Sequence, residues 1–383
     1  MIYFDQAATS YPKPPEVIHA VTNQMTGLGA NPGRGNYKMA NNSAELVQKT
    51  REKAAVLFGC SDPKKVIFCQ NATMALNTAI QGFPWKAGDH VITTDVEHNS
   101  IRRPLHYISK TRDVSLTAIS WENQKDRFLE HIRNAIRPQT KMLAVTHASN
   151  VTGAILPLPE LLHIAKEFQL TMLVDASQTA GHMPITMQEG IHMLAMPGHK
   201  GLLGPQGTGM LFLEGNINLQ PLMYGGTGVH SLEDLQPKQL PERLESGTLN
   251  MPGIAGLSAA LDLLKIREKE NVPRETLLIK RLLEGLKQIN HVELYGPNPK
   301  EPRMPIVAFN IADAPSQEIA MILDSHYQIA VRAGLHCSPD AHEAVGTLEQ
   351  GMVRASLGYY NTEEEVDQFI SAIAEIAAAY QNL

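Results

Sequence analysis

The chain has 383 residues, 43% of them hydrophobic and 19% charged, with a formal net charge of −6. This is the profile of a soluble globular protein long enough for two domains, and the mild acidity, without any long Lys/Arg run, argues against a nucleic-acid partner. No apolar run reaches membrane-spanning length, and Met1-Ile2-Tyr3-Phe4-Asp5 lacks the features of a signal peptide, so a cytoplasmic protein without a membrane partner is expected. The three cysteines, Cys60, Cys69 and Cys337, form neither a CxxC pair nor a disulfide framework. Among fifteen histidines there is no HExxH motif and no paired Cys/His ligand spacing, so no metal site is expected.

Residues 1–15, with Pro12, Pro14 and Pro15, read as an arm, in which Ala7-Ala8-Thr9-Ser10 would let a ligand lie against the backbone. Helices are expected at 16–26 and from Ser43, as N-cap, to Phe58, with Gly59 just beyond. Between them Asn31 to Tyr37 forms a loop carrying Arg34. Strands and helices then alternate. Val66–Cys69 leads into a helix opened by Asn71-Ala72-Thr73, a favourable place for a phosphate because free N–H groups and the helix dipole face the anion. His90–Thr94 is followed by Glu97-His98-Asn99-Ser100 at a helix start. Further strands fall at Ser115–Ile119, Met142–Thr146 and Thr171–Asp175, with a helix at Pro159–Phe168. The rhythm predicts a mostly parallel sheet covered on both faces. In such sheets ligands gather beyond the carboxyl ends of the strands, and Asn71, His98, Asn150, Asp175 and Lys200 all lie just there. Asp175, ending an apolar strand, could keep a ring nitrogen protonated.

Lys200 sits in Met196-Pro197-Gly198-His199-Lys200-Gly201, within a glycine-rich loop between two apolar runs. A confined lysine amine can form a Schiff base with an aldehyde cofactor; by itself the stretch also reads as a glycine-rich hairpin with an exposed lysine. Beyond an irregular stretch from Tyr224 to Asn250, two long helices are expected at Gly253–Glu270 and Arg274–Ile289. Short strands at 292–295, 306–311, 329–332 and 352–356, with helices at 316–325 and 362–380, then form a smaller α+β unit. Cys337, on the polar loop Arg332-Ala333-Gly334-Leu335-His336-Cys337, has surroundings suited to a thiolate, whereas Cys69 and Cys60 read as inert buried residues. Arg354, inside an apolar strand, suits either a bidentate carboxylate ligand or a buried ion pair.

In this order, Tyr3-Phe4-Asp5-Gln6-Ala7-Ala8-Thr9, Val174-Asp175-Ala176-Ser177-Gln178, Gly198-His199-Lys200 with Gly204-Pro205, Arg332 to Cys337, and Arg354-Ala355-Ser356-Leu357 resemble the class V, fold-type I pyridoxal-phosphate enzymes. Within them the resemblance is to the cysteine desulfurases and selenocysteine lyases. It implies an α/β fold: a large domain (16–255) with a mostly parallel seven-stranded sheet, a small α+β domain (256–383), and the arm 1–15 joined to it.

The resemblance also implies roles. Lys200 holds pyridoxal 5'-phosphate covalently and moves protons at the substrate Cα, Asp175 pairs with the ring nitrogen, Gln178 meets the ring hydroxyl, and His98 stacks on the ring and assists proton transfer as a catalytic residue. Ala72, Thr73 and His199 lie at the phosphate, which Thr248 reaches from the second subunit of a homodimer. Arg354, with Asn150, Ala8 and Arg332, holds the amino-acid substrate, L-cysteine or L-selenocysteine. The Cys337 thiolate takes the sulfur as a persulfide and alanine leaves. Pro197 replaces a serine of many Suf-type relatives, so one phosphate hydrogen bond is absent or replaced. Gly33, Leu335, Ala72 and Met74 also depart from the common patterns. The compact setting of Cys337 resembles the Suf-type group and implies slow turnover until an acceptor protein takes the sulfur. The alternatives are a selenocysteine lyase, another class V aminotransferase or lyase with Cys337 incidental, and a non-catalytic pyridoxal-phosphate protein.

Overall fold

The computed structural model describes residues 1–380 apart from Arg34, Asn36, Glu122, Asn123, His230 and Pro299, and between 265 and 273 only the course of the helix. The loop arginine Arg34 therefore lies outside the described residues. The chain order begins with β1 (Ile2–Tyr3), α1 (Pro15–Thr26), α2 (Lys38–Phe58), β2 (Val66–Cys69), α3 (Ala72–Gly82), β3 (His90–Thr94) and α4 (Asn99–Arg112). It continues with β4 (Ser115–Ile119), α5 (Lys125–Ala135), β5 (Thr140–Thr146), α6 (Leu158–Glu167), β6 (Thr171–Asp175), β7 (Met193–Pro197) and β8 (Gly209–Leu213).

These strands build a seven-stranded sheet in the order β2-β8-β7-β6-β5-β3-β4. Only β8 runs against its neighbours, β2 and β7; the other pairings are parallel. Strands β2, β3, β7 and β8 are buried at every position, as expected of strands covered on both faces. Two apolar clusters fill the two faces, one around Phe58, Phe128, Leu143 and Phe212, the other around Ile67, Leu76, Ile101 and Leu173. All the parallel strands end on the same side, so the loops after β2, β3, β5, β6 and β7 converge there.

Helix α7 is a single helix, Met251–Lys287, of 37 residues, where the sequence predicts two. Its first half packs against α1 and α2 and its second against α10 (Glu363–Tyr380), and this tertiary packing outweighs the local break at Pro273. Beyond it, β9 (Val292–Tyr295), β10 (Ile306–Ile311), α8 (Ser316–Tyr327), β11 (Ile329–Ala330), β12 (Arg332–Gly334), α9 (Pro339–Glu343) and β13 (Met352–Ser356) follow. A four-stranded antiparallel sheet, β12-β13-β10-β9, packs over a core that includes Phe4, Phe309 and Phe369. The expected strand 329–332 divides: β11 pairs in parallel with β1, while β12 turns onto β13. The arm is thereby fastened to the C-terminal unit, and Asp5 bridges Ser356 of β13 in its four-stranded sheet. Helix α2 begins five residues before the expected Ser43, which is buried within it rather than capping it. Among the described residues no helix is long and apolar enough to cross a membrane.

Candidate active site

A cleft of about 310 Å³ opens where the carboxyl ends of the large sheet meet the arm and the β12–α9 loop. It is lined by Ala8, Ala72, Thr73, His98, Asn150, Asp175, Gln178, His199, Lys200, Arg332, Cys337 and Arg354, all expected from sequence. Thr248 is not among them. It borders a separate cavity of about 110 Å³ with Glu245, Ser246 and Asn250.

Thr73, His98, Asn150, Asp175 and Lys200 end or closely follow strands of the large sheet, whereas Ala8 comes from the arm and Arg332, Cys337 and Arg354 from the C-terminal sheet and its β12–α9 loop. Lys200 follows β7, and a side chain on the next residue, Gly201, would run into the Ala180 carbonyl, so glycine lets this loop pack against the turn after β6. Burial in first place pushes the Lys200 amine down to about 8; Arg354 and Arg332 act in the same direction, Asp175 and Asp5 against it. The share of free, reactive amine near neutral pH is thus larger than at an ordinary lysine, though the group still carries a charge most of the time. Asp175 ends β6, and its Oδ1 accepts from Ser177 N (2.8 Å), which sets the carboxylate's orientation. Gln178 is anchored by its Nε2 donating to Ala7 O (3.3 Å).

His98 caps α4, with Nδ1 accepting from Ser100 N (3.0 Å). The neutral ring therefore carries its proton on Nε2. Burial first, then the Lys200 charge, lowers its pKa, which keeps the ring neutral and suited to lie on an aromatic ring. The Ser100 hydroxyl is 2.8 Å from that of Thr73, placing two hydroxyls at the N-terminus of α3. Asn71 caps that helix by accepting from Met74 N (2.8 Å), an interaction worth about 1 kcal/mol. The leading N–H groups of α3 have no intrahelical partner and suit an anion. His199 is pushed down to about 4, chiefly by burial, and its Nδ1 lies 3.0 Å from Thr9 Oγ1. Its carbonyl accepts from Ser10 N (3.0 Å) and Lys13 Nζ (2.8 Å), so the arm is tied to the lysine-bearing loop.

Arg354 realises both readings its sequence position allowed. It is 2% exposed and lines the cleft, yet its Nη2 donates to Asp5 Oδ1 (3.0 Å) and its Nη1 to Asn150 O (2.8 Å). Arg332 holds the same carboxylate, Nη2 to Asp5 Oδ2 at 2.8 Å. One aspartate thus serves two arginines, leaving a net positive charge for a substrate carboxylate. Cys337 is exposed at the edge of the cleft.

Sequence reasoning gave no role to Asp5, Ser100, Ser177 or Glu97, although Asp5 stands in the opening motif and Ser100 two residues after His98. Glu97 is 1% exposed; its carboxylate accepts from Thr94 Oγ1 (2.7 Å) and Thr146 N (2.9 Å). Burial, against these bonds, pushes it up to about 8. A raised carboxyl pKa means the folded protein holds a proton that the unfolded chain releases above about 4.5. Glu97 therefore takes stability away as pH rises from there towards 8. Glu97→Gln is expected to unfold at a higher temperature than wild type at pH 9, with the difference gone by pH 5; equal melting at pH 9 would show the carboxyl is not strained.

The aminotransferase class-V family model matches residues 2–369, and the chain belongs to that family of pyridoxal-phosphate enzymes. It is 32% identical to the probable cysteine desulfurase of Methanothermobacter thermautotrophicus, over 98% of this chain and 94% of that one. It is 30% identical to the cysteine desulfurase of Haloferax volcanii, over 97% and 88% respectively. The structure superposes on the apo cysteine desulfurase of Thermococcus onnurineus with a TM-score of 0.92 and 32% identity, covering 99% of this chain and 95% of that one. The donor set suits the family's cofactor: an amine with a lowered pKa for the aldehyde, a carboxylate for the ring nitrogen, a neutral imidazole for the ring face, and hydroxyls at a helix N-terminus for the phosphate.

Proposed function

We propose that the protein is a cysteine desulfurase that converts L-cysteine to L-alanine and stores the sulfur as a persulfide on Cys337. The observation that carries this reading is the placement of Cys337, on its exposed loop, at the same cleft as Lys200 and Arg354. Lys200 holds the cofactor and moves the proton at the substrate Cα, and Asp175 keeps a proton at the ring nitrogen. His98 would cover the ring, Gln178 would face its hydroxyl, and Ala72, Thr73 and His199 would hold the phosphate, where Ser100, 2.8 Å from the Thr73 hydroxyl, offers a hydroxyl in place of the serine that Pro197 replaces. Arg354 binds the substrate carboxylate, with Ala8, Asn150 and Arg332 forming the rest of the amino-acid subsite. Bound there, pyridoxal phosphate supplies the electron sink for charge released at Cα. The Cys337 thiolate attacks the substrate sulfur: the Cβ–S bond breaks, an S–S bond forms on the enzyme, and the three-carbon product leaves protonated as alanine.

The same reading includes a cytoplasmic homodimer in which Thr248 reaches the partner's phosphate. Two features support it. Thr248 stands outside the cleft of its own chain. Its segment is bonded, Gly247 N to Gly226 O at 2.8 Å, to a stretch that leaves Tyr224, Leu232 and Leu235 exposed. An acceptor protein would collect the sulfur at exposed Cys337. The domain division at 255/256 falls within α7, which acts as a shared spine.

The test is single-turnover alanine formation from L-cysteine by wild type and Cys337→Ala, with cofactor loading checked by absorbance. Loss of about 10³-fold or more in the variant is expected. Equal activity in both would make Cys337 a bystander and favour a lyase acting on selenocysteine.

A further inference from the structure

We infer that Asn150 is a positioning residue that fixes the Cys337 loop against the amino-acid subsite, an inference that rests on the desulfurase reading for its catalytic consequence. Its side-chain amide holds the residues on either side of the cysteine. Nδ2 donates to His336 O at 2.7 Å, and Oδ1 accepts from Ser338 Oγ at 2.7 Å. The same residue's carbonyl accepts from Arg354 Nη1 at 2.8 Å. One residue therefore ties together the guanidinium that takes the substrate carboxylate and the loop that bears the thiol.

The loop needs such a tie. His336 and Cys337 have φ of +52° and +59°, two successive non-glycine residues in the left-handed region, a conformation that external bonds must hold. Ser338 is fully buried, and Asn150 and His336 are each 8% exposed, so the bonds of the clamp are shielded from water, where leaving one unmade is costly. Two further contacts brace it. Asn99 N donates to Cys337 O at 2.7 Å, and the His336 ring stacks on His342, with Nδ1 3.3 Å from His342 Nε2. Burial lowers the pKa of both imidazoles, so this brace carries no charge at neutral pH. Cys337 itself remains exposed. The arrangement is a fixed carrier with an open head: the distance between carboxylate anchor and thiol is set before substrate arrives, which removes orientational cost from sulfur transfer.

Ser338→Ala tests this without altering a residue that lines the cleft. Three quantities are read on the holoenzyme: the rate of Cys337 alkylation by iodoacetamide, followed by mass, and kcat and KM for L-cysteine. The expected result is alkylation about tenfold faster and kcat about tenfold lower, the effect of one lost buried hydrogen bond, with KM within about twofold of wild type. A KM raised about tenfold with kcat and alkylation unchanged would show that the Asn150–Ser338 pair shapes only the amino-acid subsite and does not hold the cysteine loop, and would overturn the inference, as would no change in any of the three. Asn150→Asp, which keeps the acceptor for Ser338 and loses the donor to His336, is expected to shift alkylation in the same direction and serves if Ser338→Ala does not fold. A wild-type enzyme that forms no alanine would sink the desulfurase reading and leave the alkylation comparison to decide the clamp.

Discussion

Replacing Lys200 by alanine is expected to remove turnover altogether, by about 10⁴-fold or more, and to abolish the visible absorbance of covalently held cofactor. Proton transfer by a positioned side chain alone contributes about 10²- to 10⁴-fold, and Lys200 also provides the covalent anchor. Its position is unusual for an amine: burial beside Arg354 and Arg332 lowers its pKa to about 8. Because only the unprotonated amine attacks an aldehyde, loading of pyridoxal phosphate onto the cofactor-free protein should accelerate as pH rises, levelling off above about 8 and not near the usual 10.5. A loading rate still climbing steadily from pH 9 to pH 10.5 would show that the cleft does not depress the lysine. Turnover surviving in Lys200→Ala would remove the residue from the centre of the site.

Asp175→Asn is expected to lower kcat by about 10²- to 10³-fold while leaving the cofactor attached, the loss typical when one preorganised group that stabilises developing charge is removed. The substitution keeps the shape of the side chain and its Oδ1 can still accept from Ser177 N, so the change isolates charge from geometry. An amide in place of the carboxylate no longer favours a proton on the ring nitrogen, and charge released at Cα is then drained less well. Stopped-flow measurement of Cα deprotonation, with KM determined in parallel, checks this. A rise in KM with an unchanged deprotonation rate would instead make Asp175 a structural residue of β6.

Much of this site was legible along the chain. The strands ending at Cys69, Thr94, Thr146 and Asp175 were evident from short apolar runs, and each is followed by a residue that the fold delivers to the cleft. Local pattern suffices there, because a buried parallel strand needs only its own apolar residues to declare itself. Other features were not legible. The division of 329–332 into β11 and β12 depends on β1 pairing with one part and β13 with the other. The continuity of α7 depends on α1, α2 and α10 packing along it.

The side-chain partnerships were still less accessible. Arg354 finds its counter-ion in Asp5, 349 positions away, and Asn150 finds the cysteine loop 186 positions on. Neither partner announces itself by spacing. The rise of Glu97 to about 8 and the fall of Lys200 to the same region come from burial, which no local pattern measures.

The sequence by itself determined the alternation of strands and helices, the family, and the set of reactive groups at the strand ends, because hydrophobic periodicity and motif residues are properties of neighbours along the chain. Only the tertiary structure decided which of those groups share a cleft, which are charged there, and what holds the thiol loop. Charge and position in a folded protein depend on desolvation and on partners brought together across hundreds of residues.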